Sequence, residues 1–272
     1  MLYAITMVKN EQDTIGHVVE HLLAEGIDHV IVADNLSTDR TRAVLDDLVA
    51  RGWPVTVVED REVAYLQAVK MNRLVDMARD AGATWVVPFD ADELWVSVDP
   101  GKRLSDVLLE SDDADVLVGD WHDHVPALAP AFGRTCFQRM PRRDVHASPF
   151  PKVAFRPLPR AAITQGNHYV EGRDDLRQAP GRFMVHHFRW QSVNHFVAKN
   201  RNGLAAYQAG GARLDKDWGR EWRKYGARSR PHLILNYLNL IRFQLQRGTV
   251  RDNVLPRRLP LQGPLDARTP RR

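Results

Sequence analysis

The chain has 272 residues, of which 44% are hydrophobic and 26% are charged, the balance of an ordinary globular protein. The absence of any run of about 18 apolar residues excludes a transmembrane helix in this sequence, and the single cysteine, Cys136, excludes an internal disulfide and is typical of a cytoplasmic protein. The sequence contains 38 Lys and Arg residues and 34 Asp and Glu residues. Residues 1–120 hold 10 of the basic and 24 of the acidic residues, and residues 121–272 hold the other 28 basic and 10 acidic residues. An acidic first half suits bound metal cations, and a basic second half suits phosphate-bearing ligands or an anionic membrane surface.

Residues 1–95 alternate between strand-like and helix-like patterns. Apolar, β-compatible runs predict four strands, at residues 2–8, 29–33, 55–58 and 85–89. Apolar residues at helical spacing predict three helices between them, beginning near Ile15, near Val44 and near Ala64, the last continuing to Ala81. We expect Asn10 to cap the first helix. The alternation predicts an α/β fold whose mostly parallel sheet is covered by helices on both faces.

The carboxylates Asp90 and Asp92 directly follow the fourth strand, and in sheets of this kind ligands bind beyond the carboxyl ends of the strands. Two carboxylates separated by one residue can share a hard divalent cation, Mg²⁺ or Mn²⁺, which completes its shell with water and phosphate oxygens. Such a cation neutralises the charge that develops on a leaving diphosphate. The same spacing is also typical of solvated turn carboxylates and of helix N-caps, but the position after a buried strand favours the metal.

Asp34 follows the second strand in the same way. A carboxylate there can accept a hydrogen bond from a nucleobase N–H or a ribose hydroxyl. The alternative is a capping loop without a ligand, with Ser37 or Thr38 capping the next helix.

The chain after Pro100 has a less regular pattern. Strands are predicted at residues 116–119, 153–155 and 183–185, and helices between residues 190 and 247. His122 and His124 have the spacing of a zinc pair, but no cysteine or third ligand follows at a suitable spacing, so the pair is interpreted as part of a loop. Residues 249–272, rich in proline and arginine, predict a disordered basic tail.

Three segments occur in an order and spacing that resemble glycosyltransferase family 2, and within it the branch with an Asp-Ala-Asp-Glu motif. They are YAITMVKNE at residues 3–11, DNLSTDRT at residues 34–41 and FDADE at residues 89–93. The resemblance covers roughly residues 1–100. It implies the GT-A fold, a nucleotide-binding α/β sandwich, to which the predicted C-terminal helices add a helical extension. It also implies a nucleotide-diphosphate sugar as the donor and Mn²⁺ or Mg²⁺ as the cofactor.

The resemblance also implies roles for individual residues. Thr6 and Glu11 would line the donor pocket, and Asp34 would contact the nucleobase or the ribose. Asp90 would lie near the ribose and the metal, which Asp92 would bind directly.

Residues 186–203 resemble a C-terminal segment of the same branch. His187 is the candidate for a further metal ligand, because a neutral imidazole binds Mn²⁺. Lys199 and Arg201 are candidates to hold phosphate oxygens of the donor. The alternative is a structural histidine followed by exposed basic residues on a helix.

Transfer with inversion requires a base that deprotonates the acceptor hydroxyl. The family usually supplies a carboxylate well after the metal motif. Among Glu171, Asp174 and Asp175, we favour Glu171 as the catalytic base, with solvated loop acids as the alternative.

The sequence therefore predicts a metal-dependent glycosyltransferase of the hexosyl type, which moves a sugar to a hydroxyl of a carbohydrate or lipid-linked acceptor in glycan or cell-surface polysaccharide synthesis. Residues 1–120 are expected to bind the donor, and residues 121–248 to form the acceptor side and the C-terminal helices of the same domain. The alternatives are a sugar-phosphate nucleotidyltransferase, which generally carries a Gly-rich basic loop after the first strand, and a non-catalytic nucleotide-sugar-binding module. We expect no nucleic-acid partner, but peripheral contact of the basic half with an anionic membrane.

Overall fold

The computed structural model describes residues 1–126, 135–215 and 219–252. Its first part alternates strands and helices: β1 (Leu2–Val8), α1 (Ile15–Ala24), β2 (His29–Asp34), α2 (Thr41–Ala50), β3 (Val55–Glu59), α3 (Gln67–Asp80) and β4 (Trp85–Pro88). The four strands pair in parallel in the order β4-β1-β2-β3. The predicted alternation is therefore confirmed, although the third helix begins at Gln67 and not near Ala64.

Strand β1 explains why helices cover both faces of this parallel part. Successive residues of a strand point to opposite faces of the sheet. Ala4 and Val8 join the apolar cluster that also contains residues of α1 and α2, whereas Tyr3 and Ile5 join the cluster that contains residues of α3. Because both faces are buried, the carboxyl edge of the sheet is where polar side chains meet solvent.

The chain after β4 extends the sheet with strands of both directions. The further elements are β5 (Glu93–Ser97), α4 (Leu104–Leu109), β6 (Val116–Val125), α5 (Cys136–Arg139), β7 (Arg142–Asp144), β8 (Lys152–Phe155), β9 (Ala162–Ile163), β10 (Val170–Glu171) and β11 (Gln178–His187). Strand β8 is antiparallel to both β4 and β6, and β11 is parallel to β6 but antiparallel to β5. The sheet is thus parallel from β3 to β4, as predicted, and mixed beyond.

Three C-terminal helices pack beside β6 as α6 (Val193–Gly210), α7 (Arg220–Tyr225) and α8 (Arg230–Arg247). They share an apolar cluster that includes Val125 of β6, Phe196 of α6 and Leu233 of α8. Ser192 is the N-cap of α6, since its hydroxyl accepts a hydrogen bond from the backbone N–H of His195 at 3.1 Å. The predicted α/β fold with a helical C-terminal extension is therefore confirmed.

The predicted tail begins with ordered structure. Residues Thr249–Arg251 form β12, because their backbone pairs with β7. Residues 253–272, the rest of the tail predicted to be disordered, lie outside the described residues. Within the described part of the chain, no helix is long and apolar enough to cross a membrane.

Candidate active site

A cleft of about 810 Å³ opens at the carboxyl edge of β1 and β4. Its charged and ionisable lining residues come from both parts of the sheet and from α6, and they include Glu11, Asp90, Asp92, Asp123, Lys152, His187 and Lys199. The parallel strands deliver the first three carboxylates. The mixed strands and α6 deliver the histidine and the lysines that face them.

Side-chain hydrogen bonds tie the segment after β1 to the segment after β2. Asn10 Oδ1 accepts a hydrogen bond from the backbone N–H of Thr38 at 2.7 Å, and the hydroxyl of Thr41 accepts one from the backbone N–H of Glu11 at 2.8 Å. Asn10 has a φ of 59°, in the left-handed region that asparagine tolerates better than most residues. The prediction that Asn10 caps α1 was wrong, because α1 begins only at Ile15. Asn10 instead shapes the loop that carries Glu11 to the cleft.

Asp90 is held by a buried lysine. Nζ of Lys152 lies 2.7 Å from Asp90 Oδ2 and 2.6 Å from Glu93 Oε1, and the side chain of Lys152 is 1% exposed. The Asn167 amide donates to Asp90 Oδ1 at 3.3 Å. Burial opposes ionisation of Asp90, but the neighbouring basic groups, Lys152 first among them, together outweigh it and lower the pKa of this carboxyl. Burial raises the pKa of Glu93 to about 7, against the opposing effect of Lys152. Both oxygens of Asp90 are therefore engaged by protein groups.

Asp92 faces His187, which β11 brings into register with Asp123 of β6. Asp92 Oδ1 lies 3.6 Å from His187 Nε2, and Nδ1 of the same ring lies 2.7 Å from Asp123 Oδ1. A carboxylate acceptor fixes the ring proton on Nδ1. Nε2 is therefore the ring nitrogen of His187 that a cation beside Asp92 could bind.

Lys199 of α6 also reaches Asp92. Its Nζ lies 2.5 Å from Asp92 Oδ2 and 3.8 Å from Glu11 Oε1. Burial opposes ionisation of Asp92, but the neighbouring basic groups, Lys199 first among them, together outweigh it and lower the pKa of this carboxyl. His195, one turn earlier on α6, lies 3.6 Å from Glu11 Oε2. Helix α6 thus presents basic side chains to the carboxylates that follow β1 and β4.

Residues 3–163 match the sequence profile of Glycosyl transferase family 2. The chain belongs to this family. It is therefore a glycosyltransferase that uses a nucleotide-sugar donor, and its mixed sheet flanked by helices is the predicted GT-A fold. No curated protein sequence matches the chain.

Several solved structures are similar to this glycosyltransferase at low sequence identity. TarS of S. aureus (residues 1–349), in complex with UDP, has 12% identity and a TM-score of 0.42 over 82% of this chain and 69% of that one. The mannosyltransferase PcManGT from Pyrobaculum calidifontis, in complex with GDP-Man and Mn²⁺, has 17% identity and a TM-score of 0.42 over 92% and 76%. Glucosyl-3-phosphoglycerate synthase from Mycobacterium tuberculosis, in complex with phosphoglyceric acid, has 21% identity and a TM-score of 0.30 over 44% of each chain.

Four candidate residues of the glycosyltransferase lie outside the lining of the cleft. Thr6 is fully buried within β1, and Asp34 is buried at the end of β2, where its neighbour Asn35 does line the cleft. Glu171 is exposed on the β9–β10 hairpin, and Arg201 is exposed on α6. The structure therefore does not bring the predicted base, Glu171, to the carboxylate pair.

Lys152 and Asp123 are charged residues of the cleft that sequence reasoning missed, and only Lys152 left a signal in the sequence. Lys152 begins the otherwise apolar strand β8. A lysine in a buried strand requires a carboxylate partner, so its position could have indicated an ion pair. Asp123 lies between two histidines in a segment interpreted as a loop, and its partnership with His187 depends on the pairing of β6 with β11.

The groups around Asp92 suit a hard divalent cation. Mg²⁺ and Mn²⁺ bind carboxylate oxygens, and imidazole nitrogen is an acceptable ligand for Mn²⁺. Neighbouring ligands of an octahedral ion lie about 3 Å apart when each is about 2.1 Å from the metal, and Asp92 Oδ1 and His187 Nε2 are 3.6 Å apart. A carboxylate behind the ring, as Asp123 is, commonly orients a metal-bound histidine. Asp92 and His187 could therefore hold one cation with a small inward movement.

Proposed function

We propose that this glycosyltransferase is metal-dependent and transfers a hexose from a nucleoside-diphosphate donor to a hydroxyl acceptor with inversion, in glycan or cell-surface polysaccharide synthesis. The observation that carries the proposal is the arrangement of Asp92, His187 and Asp123, in which a carboxylate and an oriented imidazole meet 3.6 Å apart at the carboxyl edge of the sheet. Bound Mn²⁺ or Mg²⁺ would offset the charge that develops on the leaving diphosphate. In this proposal Asp92 and His187 bind the metal directly. Asp90, the first carboxylate of the Asp-x-Asp motif, lies next to the metal without binding it directly.

Lys199 is proposed to hold the donor diphosphate. Its Nζ is 2.5 Å from Asp92 Oδ2, and a divalent cation on Asp92 would repel an ammonium so close to it. Lys199 is then free to turn to a phosphate oxygen, with a charge-assisted bond of about 1.5–3 kcal/mol. Arg201 is exposed on the same helix, and we propose that it attracts the anionic donor without holding it.

The nucleoside is proposed to lie over the edge formed by β1 and β2. Asp34 ends β2 beside Asn35, and Glu11 follows β1. We propose that Asp34 contacts the base or the ribose and that Glu11 borders the donor. Thr6 is enclosed in β1, so its proposed role is to support the strand that carries Glu11.

The acceptor, a carbohydrate or a lipid-linked carbohydrate, is proposed to enter from the side of the C-terminal helices. Trp121 and Trp222 line the cleft there, and indole faces provide large apolar contact areas with a polar edge. Glu171 lies outside the cleft, and we expect Glu171→Gln to keep kcat/KM within about twofold, as surface substitutions usually do. A roughly hundredfold loss of kcat/KM in Glu171→Gln would instead indicate that Glu171 is the catalytic base.

A lipid-linked acceptor would be met at a membrane surface, and α8 offers a suitable face. Leu235, Leu238 and Phe243 are 59%, 54% and 55% exposed on this helix, beside the exposed Arg242. We propose peripheral contact of this face with an anionic bilayer from the cytoplasmic side, a setting that the buried free thiol of Cys136 suits. Cosedimentation with anionic but not with neutral vesicles, weakened by Leu238→Ser, tests this proposal. Equal binding of the wild-type protein and of Leu238→Ser to anionic and to neutral vesicles would contradict it.

Product analysis separates the proposed transfer from its two alternatives. A panel of nucleotide sugars is incubated with the full chain and Mn²⁺, and the released species is identified. We expect a free nucleoside diphosphate, with inverted anomeric configuration in the sugar product by NMR. Release of pyrophosphate from a nucleoside triphosphate and a sugar phosphate would indicate a nucleotidyltransferase, and donor binding without consumption would indicate a binding module. Asp92→Asn removes a proposed metal ligand and is assayed in the same way. Asp76→Asn, at an exposed position of α3, is its matched control.

A further inference from the structure

A second cluster of potential metal ligands lies on the far side of β11 from the cleft. His186 precedes His187, and because successive side chains of a strand point to opposite faces, it faces away from Asp92. His186 Nδ1 lies 3.0 Å from His124 Nε2 and 3.3 Å from Asp252 Oδ2. One ligand atom from each of these three residues lies within 4.8 Å of the other two, and all three residues are buried. None of the three lines the cleft.

The hydrogen bonds around the cluster leave a lone pair directed into it. His124 Nδ1 lies 2.7 Å from the backbone carbonyl oxygen of Met140. A carbonyl oxygen only accepts, so His124 carries its proton on Nδ1 and presents the lone pair of Nε2 to His186. On the other side, Nε of Arg143 lies 3.3 Å from Asp252 Oδ2, which orients that carboxylate.

We propose that His124, His186 and Asp252 form a structural Zn²⁺ site, separate from the cation proposed for the cleft. Two imidazoles and one carboxylate are ligands that zinc accepts in tetrahedral sites. Neighbouring ligands of such a site lie about 3.3 Å apart for bonds of about 2.0–2.1 Å, and His186 Nδ1 lies 3.0 Å from His124 Nε2 and 3.3 Å from Asp252 Oδ2. The Met140 carbonyl supplies the second hydrogen bond that a metal-bound histidine usually makes. A water molecule would complete the coordination.

This zinc site would link the segment that follows β12 to the central strands β6 and β11 of the sheet. His124 belongs to β6, His186 to β11, and Asp252 follows β12, the strand that begins the predicted tail. The same two central strands carry Asp123 and His187, each one residue away from a zinc ligand. Because the three ligands are far apart in sequence, binding of the ion is coupled to folding of the region behind the cleft.

Retained zinc in the full chain tests this site. The parent for the test is Asp92→Asn, which removes the carboxylate proposed to bind metal in the cleft. It is equilibrated with Zn²⁺, freed of excess metal by gel filtration, and analysed by mass spectrometry of the metal. His124→Asn keeps an amide donor for the Met140 carbonyl but lacks Nε2, and Asp252→Asn keeps the shape of the side chain but lacks its charge. His122→Asn is the matched control, because His122 is also buried on β6 and its Nδ1 lies 3.0 Å from the backbone oxygen of Asp144.

We expect one equivalent of zinc in the parent and in the His122→Asn control, and less than a tenth of an equivalent with His124→Asn or Asp252→Asn. Co²⁺ bound in place of Zn²⁺ should give the visible bands of a tetrahedral site in the parent, and removal of the metal by a chelator should lower the melting temperature of the parent but not of His124→Asn. A parent that retains less than a tenth of an equivalent overturns the proposal. So does His124→Asn retaining as much zinc as the His122→Asn control. If His124→Asn does not fold, the zinc content and Co²⁺ spectrum of the parent decide by themselves.

Discussion

Replacement of His187 by alanine is the most informative single change in the cleft. The substitution removes Nε2, which lies 3.6 Å from Asp92 Oδ1, and it leaves Asp123 without the ring nitrogen at 2.7 Å. Loss of an outer partner of a metal ligand alone typically costs about 10–100-fold in metal affinity or activity. Loss of the ligand itself should cost at least as much, so we expect kcat/KM to fall at least about tenfold, which corresponds to about 1.4 kcal/mol or more.

The assay measures initial rates of nucleoside-diphosphate release as a function of Mn²⁺ concentration. For His187→Ala we expect a lower plateau and half-saturation at a higher Mn²⁺ concentration. Asp123→Asn should give a smaller change in the same direction, because an amide oxygen still accepts the ring proton but no longer carries charge. His168→Ala is the control, since His168 also lines the cleft and its Nδ1 donates to the backbone oxygen of Pro151 at 2.8 Å, away from the carboxylate pair.

A purely structural role for His187 predicts a different pair of results. The ring packs against Trp121, with ring centroids 4.5 Å apart, so His187→Ala would lower the melting temperature through lost packing. The folded fraction would then keep the wild-type kcat/KM and the wild-type Mn²⁺ dependence. That outcome, measured on the same preparation, would refute the metal-ligand role.

Three further substitutions test the charges of the site. Lys152→Met should lower the free energy of unfolding by about 3–5 kcal/mol in urea melts, because it leaves Glu93 buried without its cation and also removes the ion pair of the half-buried Asp90; an unchanged midpoint would contradict the buried pairing of Lys152 with Glu93. Lys199→Met should weaken binding of the intact donor by about 1.5–3 kcal/mol in calorimetry while sparing the free nucleoside, and equal losses for both ligands would count against a diphosphate contact. Asp34→Ala should weaken the nucleoside diphosphate and the intact donor by similar factors, about 1.5–3 kcal/mol in calorimetry, and an effect confined to the sugar-bearing ligand would show that the nucleoside assignment is wrong.

Local sequence patterns predicted the first part of the fold well. The strands β1–β4 and helix α1 each follow from periodicity within a short segment, as in Ile15, Val18 and Leu22. The mixed second part did not follow, because the direction of β8 and β11 depends on partners far away in the chain. The strand β12 was missed for the same reason, since it is held by pairing with β7 and not by its own composition.

In the candidate site, too, residues with a local sequence pattern were predicted, and residues that depend on distant partners were missed. Asp90 and Asp92 were found because their position after a strand is itself a local pattern. Lys152 and Asp123 were missed because each acts through a partner more than 60 residues away, 62 residues for Asp90 and 64 for His187. Glu171 is favoured as the base for its chemical type and its place in the order of the chain. Neither of these specifies which residues between β9 and β10 face the cleft, and there Gln165, Gly166 and His168 line it whereas Glu171 does not.

Metal dependence of the transfer is tested by the turnover of metal-stripped protein. The full chain is treated with EDTA and transferred to metal-free buffer, and release of nucleoside diphosphate from the preferred donor is measured before and after addition of Mn²⁺. Metal dependence through Asp92 predicts no turnover before addition, recovery with Mn²⁺, and no recovery in Asp92→Asn, whose fold is checked by its melting temperature. Full turnover in the stripped wild-type protein would contradict the claim.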